Sequence, residues 1–148
     1  MKTIITTGKR RSAIAVAIVK PGKGRVKVNG VPIELIPMEI ARLKMMEPLL
    51  VAGRALRDLV DIDVRVRGGG FMGQADAVRM AITRGLLEFL KCENEESEDC
   101  EKRNKLAETL KRFFDEYDRT MLIGDPRKPE SKKPMRYSAR RRWQKSYR

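Results

Sequence analysis

The chain has 148 residues, a length that suits one domain with an appendage, and it carries 33 Lys+Arg against 20 Asp+Glu, a net charge of +13 at pH 7. It has no histidine, which removes the usual general base and the common nucleophile–base pairs and speaks against an enzyme. Its two cysteines, Cys92 and Cys100, form no CxxC, which with the lack of histidine speaks against a closed zinc site, and no metal or other cofactor is expected; they suit the cytosol, where thiols stay reduced.

The opening MKTIITTGKRR breaks its apolar stretch with threonine and charge, unlike a secretory signal. Ser12 to Lys20 (SAIAVAIVK) is short, β-branched and apolar, and predicts a buried strand. Pro21-Gly22-Lys23-Gly24 predicts a turn. Arg25 to Val28 alternates with period two, and Asn29-Gly30 is a hairpin signal before Val31-Pro32-Ile33. The pattern predicts a meander with valines and isoleucines inward and a basic, solvent-facing sheet face. Pro37 suits a first helical position. Ile40, Leu43 and Met46 or Glu47 follow at helical spacing until Pro48, an apolar stripe expected to face the core, and a second short helix runs through Leu49, Leu50 and Leu56. Asp61 to Arg67 alternates as a strand that Gly68, Gly69 and Gly70 stop.

From Gln74 to Leu90, the spacing of Ala75, Val78, Ile82, Leu86 and Phe89 predicts an amphipathic helix, with Arg79 and Arg84 off its apolar stripe. Glu93 to Glu101 holds six acids and reads as a solvated linker, one that like charge would turn away from any polyanion. A third helix sets Leu106, Leu110, Phe113, Phe114 and Tyr117 on one core-facing side. After Thr120 the pattern stops, and Pro126, Pro129 and Pro134 among cations preclude a core. No run approaches the roughly 20 apolar residues of a membrane helix. The expected fold is α+β, a two-layer arrangement of a small mixed sheet with helices on one face. A body spans 1–118 and an extended basic tail 119–148.

The charge is segregated. Arg119 to Arg148 contains 11 Lys+Arg with only Asp125 and Glu130 against them, a net +9, whereas the other 118 residues hold +4. At the start, Lys2, Lys9, Arg10, Arg11, Lys20, Lys23, Arg25 and Lys27 all precede the first acid, Glu34. This is the footprint of a polyanion binder.

Gly68-Gly69-Gly70-Phe71-Met72-Gly73 satisfies G-x-G-x-x-G between a strand and a helix. The remainder of a dinucleotide unit is missing, because the acid about 20 residues on, Glu88, lies inside a helix and no second parallel strand follows. There is no Walker lysine pattern either. What survives is a helix start whose backbone N–H groups suit any phosphate, RNA included. The same glycines also suit a tight turn that needs positive φ.

Three stretches carry a resemblance: GKRRSAIAVAIV, RVRGGGFMGQADAVRMAITRGLL and LIGDPRKPESKKPMRYSARRRWQKSYR. In this order they resemble the S-nine family of small-subunit ribosomal proteins, in its archaeal and eukaryotic branch. The resemblance implies a body shaped like the second domain of ribosomal protein S-five, seated on rRNA in the small-subunit head beside neighbouring head proteins. It also implies a tail that threads rRNA toward the peptidyl-site tRNA. Thirty extended residues reach at most roughly 100 Å.

The rRNA-binding set expected is Lys9, Arg10, Arg11, Lys23 and Arg25 near the start, Arg67, Gly69, Gly70 and Gln74 at the glycine loop, and Arg79 and Arg84 on the helix after it. In the tail it comprises Arg127, Lys128, Lys132, Lys133, Arg136, Tyr137, Arg140, Arg141, Arg142 and Trp143. The resemblance implies that Lys145, Ser146, Tyr147 and Arg148 are the tRNA-proximal residues; Tyr147 stands where bacterial members of that family usually carry lysine. Arginine grips phosphate bidentately and stacks on bases, and the interleaved rings offer stacking platforms. The rival reading from the residues is an RNA- or DNA-binding module outside the ribosome.

Overall fold

The computed structural model describes residues 3–91 and 98–146. Five strands form one mixed sheet: β1 (Ile4–Arg10), β2 (Ala13–Pro21), β3 (Val26–Val28), β4 (Val31–Pro32) and β5 (Val60–Arg67). The helices are α1 (Glu39–Ala52), α2 (Arg54–Arg57), α3 (Phe71–Leu90) and α4 (Glu98–Asp118). The strand order is β1-β2-β5-β3-β4, with β3 and β5 parallel and every other pair antiparallel. The expected α+β architecture is therefore present. No helix among the described residues is long and apolar enough to cross a membrane.

The meander expectation is corrected in one respect: β5 inserts between β2 and β3. Parallel neighbours need a crossover, and α1 and α2 supply it between β4 and β5. The loop after β2 is fixed by Asp61 of β5, whose Oδ1 accepts the backbone N–H of both Lys23 and Arg25 at 2.9 Å. Those two bonds hold the Asp61 carboxyl below its usual value. The Asn29-Gly30 turn forms as expected, with φ of 51° and 84°. Asn29 also closes a rung of the ladder: its Oδ1 accepts Val66 N–H at 2.9 Å and its Nδ2 donates to Val66 O at 3.2 Å.

The first strand, β1, has no clear apolar alternation and was not expected; it forms because its small side chains suit α3. A Cβ on Gly8 would lie 2.0 Å from Ala77 O, so strand and helix meet backbone to backbone. The same logic corrects the inward-facing set of β2, which is Ala13, Ala15, Ala17 and Val19 rather than its isoleucines. Ala77, Ala81 and Gly85 give α3 a matching smooth face. Large β-branched residues there would hold the helix off the sheet, so Ile14, Val16 and Ile18 are left on the open face.

Two more corrections concern helices. Pro48 lies within α1 and is buried together with Ala41, Met45 and Leu49, whereas the predicted core residues Ile40 and Leu43 are exposed. In α4, Ala107, Leu110 and Phe114 are buried, but Leu106, Phe113 and Tyr117 face outward. α4 also begins at Glu98, inside the acidic run expected to be a linker; Glu93–Ser97 lie outside the described residues. Packing does not end with α4. Thr120 accepts a hydrogen bond from Arg79, and Met121 is wholly buried beside Leu87, Leu90 and Phe114.

Candidate nucleic-acid interface

The tail leaves the body through a carboxylate clasp. Asp125 pairs with Arg10 at 2.9 Å and with Arg127 at 2.8 Å, and it also accepts the Arg127 backbone N–H at 2.9 Å. Arg10 further donates to Arg127 O at 3.2 Å and lies 3.8 Å from Asp76, which Lys44 meets at 2.6 Å. The Arg127 side-chain and backbone hydrogen bonds lower the Asp125 carboxyl from 3.8 to about 2. Because this pKa is depressed in the folded protein, the clasp is complete above about pH 4 and is lost as pH falls through about 2. The Asp125 carboxyl carbon resonance should titrate with a midpoint near pH 2 and move toward 3.8 in Arg127→Ala; a midpoint unmoved by that substitution would show that Arg127 is not its partner.

Beside the clasp, the β1–β2 turn packs on the glycine loop. Arg11 (φ 54°) heads the turn, and Gly68 and Gly69 have φ of 75° and 68°. A Cβ on Gly68 would lie 2.5 Å from Ser12 O, so the close approach also excludes side chains there. Gln74 Nε2 donates to Gly68 O at 3.1 Å, and the α3 N-terminus has no side-chain cap. Arg11, Ser12, Gly69, Gly70, Phe71 and Lys128 border an open cleft of about 680 Å³. Cations, uncapped N–H groups and the exposed Phe71 ring therefore share one opening.

Further out, the tail makes a knuckle of its own. Arg136 and Arg142 form an antiparallel bridge, and Tyr137 N–H donates to Arg141 O at 3.0 Å. The Tyr137 and Trp143 rings meet edge to face with centroids 5.4 Å apart, and the Arg141 guanidinium sits 5.2 Å from the Tyr137 centroid. Both rings remain 58% exposed, so each has a free surface. Arg140 donates to Glu130 at 2.8 Å in an exposed pair, an interaction worth at most about 1 kcal/mol and one that phosphate can displace.

The structure divides the predicted arginines. Arg79 is 7% exposed and its guanidinium bonds Glu47 at 2.5 Å, Asp118 at 2.6 Å and Thr120 at 2.9 Å. Burial opposes its charge, but the bonds to Glu47 and Asp118 outweigh that and raise its pKa. Arg84 donates to Thr7 O at 2.8 Å and to Leu122 O at 2.7 Å. Arg10, Arg79 and Arg84 thus hold the body and the tail root together.

Lys9, Arg11, Lys23, Arg25 and Arg67 are exposed on the body, and Lys128, Lys132, Lys133, Arg140, Arg142, Lys145 and Ser146 are exposed along the tail. Tyr147 and Arg148 lie outside the described residues. Arg65 and Lys27, which the expected rRNA-binding set does not include, are exposed on the same sheet face as Lys9 and Arg67, the basic face that the alternation of their strands predicts.

A small α+β body that roots a cationic, ring-bearing tail in an internal salt-bridge network has the charge layout found in proteins that bind polyanions. The family model for ribosomal protein S9/S16 matches residues 8–148. Relatives called small ribosomal subunit protein uS9 include that of Aeropyrum pernix, 63% identical over 147 residues, which is 99% of this chain and 97% of the relative. Those of Desulfurococcus amylolyticus and Saccharolobus solfataricus are 51% and 50% identical, covering 100% and 99% of this chain and 94% and 96% of theirs. The chain belongs to the ribosomal protein S9/S16 family.

Proposed function

We propose that the chain is a structural, non-catalytic component of the small ribosomal subunit in the cytoplasm. Its body and tail bind rRNA in the head among neighbouring proteins, and its final residues approach the tRNA in the peptidyl site. The observation that carries this reading is the tail beyond Arg127, whose described cations are exposed or half-buried and, Arg140 to Glu130 aside, make no ion pair among the described residues, while Asp125 and Arg10 fasten its root. The names of the relatives support the particle. The cleft at the glycine loop lies where body and tail cations converge, so the same RNA could touch both. Arg10, Arg79 and Arg84 serve this interface indirectly, by setting the direction in which the tail departs.

The test has two readouts. The full chain should comigrate with the small subunit on a sucrose gradient at moderate salt, where a free-standing RNA-binding module would not. Deleting Ser146–Arg148 should leave comigration intact and weaken peptidyl-site tRNA retention roughly tenfold, the loss of about one charge-assisted contact of 1.5 kcal/mol. Unchanged tRNA affinity would remove the tRNA role.

A further inference from the structure

The face of the sheet turned away from the helices bears an uncovered apolar column. Ile14, Val16 and Ile18 follow one another along β2, and Ile5 of β1 stands opposite Ile18. Ile5 is 66% exposed and Ile14 47%. β-Branched side chains are stiff, so this column is a preformed surface.

Its borders are cationic. On one side, Arg65 and Arg67 lie opposite Val16 and Ile14. On the other, Lys9 stands across from Ile14. Lys27 adds a third corner next to Asp63, the acid paired with Ile18. The two cationic borders are two strand spacings apart, about 10 Å, which is close to the diameter of an α-helix. From Ile14 to Ile18 the column runs about 13 Å, or roughly nine residues of helix.

We infer that this face is a docking groove for an amphipathic helix of a neighbouring protein, with an apolar stripe and Asp or Glu along both edges. RNA is the less suitable occupant here. Its accessible surface is phosphate, ribose hydroxyl and base, and this groove offers it no ring and, between its cationic edges, only the Thr7 hydroxyl opposite Val16 as a donor beside the apolar column. An apolar centre with a charged rim is the anatomy of a protein–protein contact, and the rim selects acidic edges. The inference rests on the ribosomal reading, because the neighbour is sought within the assembled subunit.

The test places p-benzoylphenylalanine at position 5 or position 14 of the full chain, both exposed, and irradiates small subunits purified from cells. The expected result is an adduct with one other protein of the subunit, through a peptide whose apolar stripe is edged by acids. Arg65→Glu together with Lys27→Glu should reduce that adduct at least fivefold. An adduct with rRNA or with a second copy of this chain overturns the inference. So does the absence of any adduct when the same group at position 137 crosslinks. Comigration of the unsubstituted chain with the small subunit is scored separately; its loss overturns the ribosomal reading and the docking groove with it.

Discussion

Arg79→Met is expected to lower the free energy of unfolding by about 3 kcal/mol, since it strips the partner from two carboxylates at once. The guanidinium joins Glu47 of α1 to Asp118, the last residue of α4, and to Thr120 just beyond it, and its own helix, α3, is the one that packs on β1 and β2 of the sheet. Methionine fills much of the same volume, so the loss comes from unpaired charge rather than from a cavity. Glu47 and Asp118 keep 28% and 31% of their side-chain surface in solvent, which holds the figure at the lower end of what breaking a buried pair costs. Urea unfolding followed by circular dichroism measures it; guanidinium would screen the very interaction in question. Adding Asp118→Asn to Arg79→Met should recover part of the loss, because it removes one of the stranded charges. A loss below about 1 kcal/mol would mean that the network does not brace the fold.

That network also shows why some of the molecule could be read from the sequence and some could not. Local signals were sufficient where the deciding contacts are local. The Asn29-Gly30 turn needs only two residues that tolerate positive φ, and Asp61–Arg67 alternates because one face of β5 is buried. Arg79 carried no such signal. Nothing nearby in sequence distinguishes it from Arg84, and its partners lie 32 and 39 residues away. Strand β1 failed for a related reason: Gly8, which lets it reach α3, reads as a break until the helix is set against it. Ile40 and Leu43 show the opposite error, since a regular apolar spacing on α1 points to solvent while Ala41, Met45 and Leu49 take the core. Of the candidate interface, the tail was the legible part, because charge segregation and proline content need no fold to be seen. Which arginines are free and which are structural became visible only from the packing.

The division among arginines leads to the largest functional effect expected of this chain. Replacing Arg140, Arg141 and Arg142 together by alanine should weaken binding to a single-stranded rRNA fragment by two orders of magnitude or more at low salt, at about 1 kcal/mol or more for each charged contact. It should also flatten the slope of log affinity against log salt by about 2, three contacts at roughly 0.7 each. These side chains sit on the knuckle that the Tyr137–Trp143 pair supports, and among the described residues their only ion pair is the exposed one from Arg140 to Glu130. Little must be given up within the protein before they meet phosphate. The three-lysine variant separates charge from shape: it should keep the salt slope but bind more weakly, because an ammonium cannot bridge two phosphate oxygens in a plane or stack as a guanidinium can over the Tyr137 ring, where Arg141 sits. Titrations at four or five salt concentrations give both numbers. If the alanine variant kept the original slope, these arginines would not touch phosphate, and the phosphate contacts would belong to the other cations of the tail.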